Sequence, residues 1–139
     1  MSTDIRAAQK AVGDFMRAGG QVTSIVPTIP ADSISIRRLE MLREEVSELA
    51  AALAAGDIVE AADAYADIIY VALGGAEEAG IDIEPVVEEV IDSNNSKIDW
   101  ENNRPWARHD NGKIAKDEHY RAPDIRSIIL QQVTTEARL

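Results

Sequence analysis

The chain has 139 residues, 45% of them apolar and 28% charged, and a net charge of −11 at neutral pH. That length fits a single domain over 1–139 with a hydrophobic core of its own, and the acidic balance argues against a long nucleic acid as partner. Without cysteine there is no disulfide, thiolate zinc site or cysteine nucleophile. His109 and His119 are the only imidazoles, so a metal site would be built mostly from oxygen, which favours Mg²⁺, Mn²⁺ or Ca²⁺ over zinc.

Aromatic residues make up only 4% of the chain, and the aliphatic content suits close-packed helices. The opening MSTDIRAAQK has no apolar leader core, and no run approaches a membrane span. The expectation is a cytoplasmic protein without a membrane partner.

Residues 3–18 have helical spacing, with Ile5, Ala8, Val12, Phe15 and Met16 on one stripe, Thr3 or Asp4 as cap and Gly19-Gly20 as stop. QVTSIVPTIPADS is a connector with two prolines. A second helix is predicted from about Ser33 to Ala55, capped by Asp32 or Ser33 and ended by Gly56. A third starts at Asp57 and runs to about Leu73 or beyond, with a kink expected at Gly74-Gly75. A fourth covers 84–97, with Pro85 in its first turn. Beyond Ile98 the chain is polar and rich in turn residues. DNGK is placed to close a hairpin, and a short helix is expected from Pro123. The fold class read from this pattern is all-α: four to five helices with an irregular C-terminal arm.

Two acidic clusters carry the chemistry. In RRLEMLREEVSELAAAL the apolar positions Leu39, Leu42, Val46, Leu49 and Leu53 share a face. Glu44, Glu45 and Glu48 form a patch beside it. Glu44 and Glu48 repel at i,i+4, which Arg38 and Arg43 would partly relieve. One reading is a solvated acidic face. The other is a set of oxygen ligands, Glu45 and Glu48, with Glu44 beside them as ligand or base.

The second cluster lies in VEAADAYADIIYVALGG. Glu60 stands three residues after Asp57, as in a capping box, so helix cap and ligand are both open to it. Asp63 and Asp67 lie beyond the first turn, where the helix dipole no longer favours them, in a segment apolar all round that is expected to be buried. Each either pairs with an arginine from another helix or shares a divalent ion. The short AAGD connection makes the second and third helices antiparallel neighbours. Folding there brings Glu45 and Glu48 level with Asp63 and Asp67, four carboxylates that need a cation. Magnesium would suit such a hard-oxygen cage.

The order EEVSE (44–48) followed by ADAYADIIYV (62–71) resembles the MazG-like all-α nucleoside triphosphate pyrophosphohydrolases, a superfamily that includes phosphoribosyl-ATP pyrophosphohydrolase and the dimeric dUTPases, with its EExxE, spacer and ExxD. DFMRAGGQV, DSNNSK (92–97) and NGKIAKDEHYRAPDI resemble further segments of the small members in the same order. One departure is plain. With Asp67 as the family Asp, Ala64 stands where Glu belongs, while Glu60 to Asp63 also reads ExxD one turn earlier.

The resemblance implies a helical bundle that hydrolyses (deoxy)nucleoside triphosphates to the monophosphate and pyrophosphate with Mg²⁺, or Mn²⁺ in its place, in a house-cleaning role. Glu45, Glu48, Asp63 and Asp67 would hold the metal, with Asp63 replacing the missing Glu. Glu44 or Glu45 would orient the attacking water or take its proton. Asn94, Lys97, Lys113, Lys116 and Tyr120 would meet the phosphates. Gln21, Asn94, Trp100 or Trp106 would recognise the base. A homodimer or homotetramer is implied too. Two other readings stand beside this one: a specialised dUTP or dCTP pyrophosphatase, and a non-catalytic helical oligomerisation or binding module that keeps the fold.

Overall fold

The computed structural model describes residues 4–137 and their side chains as far as Thr134. Five helices account for most of it: α1 (Ile5–Ala18), α2 (Asp32–Ala55), α3 (Ile58–Ala79), α4 (Ile83–Asn95) and α5 (Ile125–Ala137). The strands are β1 (Ile98–Asp99) and β2 (Arg104–Pro105), paired antiparallel. The all-α class with a C-terminal arm is therefore what the chain adopts. Its internal contacts divide it into two compact units, Met1–Ile83 with Gln132–Leu139, and Glu84–Gln131. Among the described residues no helix is long and apolar enough to cross a membrane.

In the first unit α3 is the central helix, packed by both α1 and α2. The Asp4 carboxylate caps α1, accepting from the Ala7 N–H at 2.7 Å; Thr3, the alternative cap, lies outside the described residues. Val12, Met16 and Leu73 form the buried core, with Ile5, Ala8 and Ile83 against it. Phe15 departs from the expected stripe: it is exposed and meets Tyr70 edge-on, ring centroids 6.1 Å apart.

The N-cap of α2 is Ala31, with no side-chain cap bond, so Asp32 serves as a first-turn carboxylate facing the helix dipole rather than as the cap. Gly56 ends the helix in the left-handed conformation. Asp57 then caps α3 through the Glu60 N–H. The capping box is only half made, because the Asp57 N–H goes to the Ala52 carbonyl at 2.9 Å.

No break appears at Gly74-Gly75; α3 continues to Ala79. The role of Gly74 is packing. A Cβ there would stand 2.5 Å from Arg38 Nη1. Gly80, at φ 66°, ends α3 where a side chain would strike the Val26 backbone at 2.4 Å. The connector after α1 runs along this end of α3, and the Ser24 and Thr28 N–H groups donate to the Glu77 and Ala79 carbonyls.

Two glutamines hold the turn that follows. Gln9 Nε2 donates to the Ile81 carbonyl and its Oε1 accepts from the Ile83 N–H. Gln132, on α5, does the same to the N–H and carbonyl of Asp82. The turn between α3 and α4 is thus bonded largely by side-chain amides.

The expectation of a helix buried on every side fails for α3. Ala61, Ala64, Val71, Leu73 and Ala76 are buried, but Ile58, Val59, Tyr65, Ile69 and Tyr70 are exposed. On α2, Leu39, Val46 and Leu53 are exposed as well. This helix turns its Arg38–Glu45–Ala52 edge to α3, which leaves the apolar stripe one residue further on uncovered.

In the second unit Ser93 at the end of α4 donates to the Arg121 carbonyl, whose own N–H donates to Ser96 Oγ. Asn103, at φ 51°, turns the chain between the strands. The DNGK turn forms as read, with His109 and Lys113 joined by a backbone bond at 2.8 Å and Arg108 bridged to Ile114. The last helix starts two residues after Pro123, because the Asp124 carboxylate accepts from the N–H and hydroxyl of Ser127.

Candidate metal centre and cationic arm

The antiparallel register of α2 on α3 builds the centre. Arg38 lies over Gly74 and bonds to the Val71 carbonyl and to Glu78. Seven residues on, Glu45 faces Asp67. Another seven on, Ala52 packs near Ala61, both buried and both lining one small cavity. Seven residues are two turns of helix, so the three contacts fall on a single edge of α2. Small side chains at Ala52, Ala61 and Ala64 allow the close approach.

Carboxylate oxygens of Glu45, Glu48 and Asp67 lie within 4.8 Å of one another. Glu45 Oε2 is buried and has no hydrogen-bond partner. Burial pushes the Glu45 carboxyl above the ordinary range, and the charges of Glu48, Asp67 and Asp63 push it further. Asp67 is raised for the same reasons, burial first and then Asp63 and Glu48, partly offset by a bond with Glu45. No lysine or arginine of the described residues forms an ion pair with the group. Arg38, expected to relieve the acidic face of α2, is committed to Glu78 instead, Nε to Oε1 at 2.7 Å. An unpartnered buried oxygen among three converging carboxylates matches the donor chemistry of a hard divalent cation.

Asp63 and Glu44 are both exposed and stand outside the group of three, although Asp63 is near enough to act on both raised carboxyls. Asp63 is therefore not buried, contrary to the sequence reading, and Asp67 is only partly so. Ala64 is buried, 2% exposed. A cleft of about 400 Å³ opens beside Glu48 along the α2–α3 turn, and the exposed Glu60 lines it with Asp57. Gln21 is not part of the group; it is exposed just after α1, its N–H on the Met16 carbonyl.

The second unit gathers the predicted cationic residues. Lys97 and Lys116 place their ammonium groups 5.7 and 4.7 Å from the Tyr120 ring centroid. A hydrogen bond with Ser93 lowers the Tyr120 hydroxyl from its ordinary value, and the two lysines lower it further. Asn94 accepts from Lys97 Nζ at 3.0 Å while donating to the Val90 carbonyl, so its amide orients the lysine. Lys113 shares a cavity with Asn94 and Lys97. Trp106 lies stacked on His119 at 3.8 Å, and His119 bonds to Asp117.

The sequence signals the Arg38–Glu78 pair only indirectly, through the seven-residue spacing from Arg38 to Glu45 combined with a glycine opposite. A family model described as phosphoribosyl-ATP pyrophosphohydrolase matches residues 12–94, which takes in both acidic clusters. Among curated proteins none matches the chain.

Proposed function

Because the chain belongs to the phosphoribosyl-ATP pyrophosphohydrolase family, we propose that it hydrolyses (deoxy)nucleoside triphosphates to the monophosphate and pyrophosphate, using Mg²⁺ held by Glu45, Glu48 and Asp67. Family membership itself makes it a pyrophosphohydrolase acting on a nucleotide, a hydrolase of an acid anhydride. The observation that carries the finer reading is the buried, unpartnered Glu45 Oε2 among three carboxylates. Mn²⁺ would serve in place of Mg²⁺. The ion, when bound, supplies charge neutralisation at the phosphates and a more acidic water.

The protein's own groups divide the remaining work. Glu45 and Asp67, half-buried between α2 and α3, and the exposed Glu48 would hold the cation, and Asp63 would add negative charge at its border. Glu44 or Glu45 accepts the proton of the attacking water. In the second unit Lys97, Lys113, Lys116 and Tyr120 offer donors for phosphate oxygens. The exposed apolar residues Leu39, Val46 and Leu53 on α2 and Tyr65 and Ile69 on α3 make a surface that suits a second copy of the chain. We read the protein as a cytoplasmic homo-oligomer.

Ala64, at the position where the family pattern has Glu, favours one second reading: a helical binding module without turnover. Pyrophosphate release from the common NTPs and dNTPs, in Mg²⁺ and in EDTA, separates the two. Metal-dependent release that Asp67→Asn abolishes supports the enzyme. Release from no nucleotide removes it.

A further inference from the structure

Ser93 lies in the last turn of α4 and Ser96 just beyond its end. Both turn their hydroxyls to one residue of the arm, Arg121, 28 and 25 positions further along. Ser93 Oγ donates to the Arg121 carbonyl at 2.8 Å, and the Arg121 N–H donates to Ser96 Oγ at 2.9 Å. Both polar groups of the Arg121 main chain are thus satisfied by serine side chains. Ser96 gives its own proton to the Ser93 carbonyl at 2.6 Å. Ser93, with one proton and two lone pairs, also bonds the Tyr120 hydroxyl. Ser93 is 4% exposed, and the Arg121 guanidinium adds an ion pair to Glu89 on α4.

A serine at a helix end needs no distant partner, because bonds within its own turn satisfy it. Here two of them reach to the same residue, and the residue before it is Tyr120. The Tyr120 ring carries the ammonium groups of Lys97, one residue past Ser96, and of Lys116, at 5.7 and 4.7 Å from its centroid. Tyr120 is half-buried and tied on its N-terminal side by its N–H on the Asp117 carbonyl at 3.1 Å. Lysine has more rotamer freedom to lose than most side chains, so two ammonium groups stay together only if the ring they share is held.

We propose that Ser93 and Ser96 are positioning residues, a two-point clamp on the Arg121 main chain that holds the Tyr120 ring and, through it, keeps the ammonium groups of Lys97 and Lys116 ready for the substrate's phosphates. The inference rests on the pyrophosphohydrolase reading and adds to it two residues that touch no substrate. A grip on phosphates acts on bound substrate and transition state alike, so loosening it falls on KM and not on kcat. The two serines differ in one respect. Only Ser93 reaches the Tyr120 hydroxyl, so its loss also returns the phenol toward the ordinary 10.0, from which the Ser93 bond and then Lys116 and Lys97 lower it.

Ser93→Ala and Ser96→Ala, assayed by pyrophosphate release, should each raise KM about ten-fold with kcat within about two-fold of the parent. Ser96→Thr keeps the hydroxyl and should restore KM. The chain has three tyrosines, and tyrosinate absorbance against pH, with Tyr120→Phe as reference, isolates the Tyr120 phenol. Ser93→Ala should move its ionisation upward. An unchanged KM in both alanine variants, or a Tyr120 titration that Ser93→Ala leaves in place, overturns the proposal, and a lowered melting temperature does not rescue it. Should Ser93→Ala not fold, Ser96→Ala and Ser96→Thr decide by KM. A parent that releases no pyrophosphate ends the pyrophosphohydrolase reading by itself. Calorimetry with inorganic pyrophosphate in EDTA then decides the clamp: binding about ten-fold weaker in the alanine variants keeps it, and equal or absent binding removes it.

Discussion

Arg38 on α2 and Glu78 on α3 form a buried ion pair at 2.7 Å, their side chains 11% and 3% exposed, with the guanidinium seated over Gly74. The second bond of Arg38, to the Val71 carbonyl at 3.3 Å, ties it to the α3 backbone as well. The pair therefore fixes the sliding position of one helix on the other, and Glu45 faces Asp67 two turns along from it.

Arg38→Ala would leave Glu78 as an uncompensated buried charge, which costs about 3–5 kcal/mol. Gly74→Ala would force the guanidinium aside, at about 1–3 kcal/mol. Urea unfolding measures both. Recovery of stability in Arg38→Met with Glu78→Leu, without recovery of turnover, would show that the pair sets geometry as well as stability.

Glu45→Gln should raise the melting temperature of the metal-free protein, because it removes a charge from a crowded group whose carboxyls are already pushed upward. The same change should lower kcat by at least about a hundred-fold and abolish the thermal shift produced by Mg²⁺ or Mn²⁺. Differential scanning fluorimetry beside a pyrophosphate assay tests both parts. Stabilisation with activity retained would favour a role outside catalysis.

Val46→Lys, on the exposed face of α2, should shift the protein to a smaller species in size-exclusion chromatography with light scattering, with its helical circular dichroism kept. If the mass is unchanged by the substitution, that face does not join copies of the chain.

Asp99 gives the pH dependence. Its buried carboxylate accepts from the side chain and then the backbone of Asn102, with the Arg104 guanidinium 3.9 Å away, and these hold its pKa below the ordinary 3.8. A carboxyl lowered on folding stabilises above its unfolded pKa, and the gain is lost as pH falls through the folded value. The stability difference between the parent and Asp99→Asn should therefore be full at neutral pH and shrink below about pH 4. Chemical denaturation at several pH values reads it, and a difference that grows in acid would be the contrary result.

The helices of the first unit were legible because their apolar spacing and glycine stops are local signals. The convergence of Glu45, Glu48 and Asp67, without the Asp63 expected beside them, was legible for a related reason, since a short connection between two periodic helices leaves little choice of partner. What was misread depends on the tertiary partner. The spacing in α3 reads as apolar all round, which implies burial on every side, yet Tyr65, Ile69 and Val59 are uncovered within one chain. Arg38 looked like a neighbour to the glutamates on its own helix, and only the glycine opposite reveals where it goes. Gly74 suggested a kink because the sequence cannot distinguish backbone freedom from room for a side chain. The cavity that Lys97 and Lys113 share with Trp100 needs the DNGK turn closed before its walls meet, so no spacing announced it.

Two edges of α2 lie side by side, Arg38–Glu45–Ala52 against α3 and Leu39–Val46–Leu53 outward. Adjacent positions on a helix are rotated by about 100°. One residue gained or lost between Arg38 and Gly56 would therefore exchange the edges beyond that point, presenting leucine and valine to α3 and turning carboxylates to solvent. The segment cannot drift in length by single residues and keep both surfaces. In the connector at 19–31, Ser24 and Thr28 are tied to the Glu77 and Ala79 carbonyls, so the length changes the first unit can absorb there fall outside 24–28.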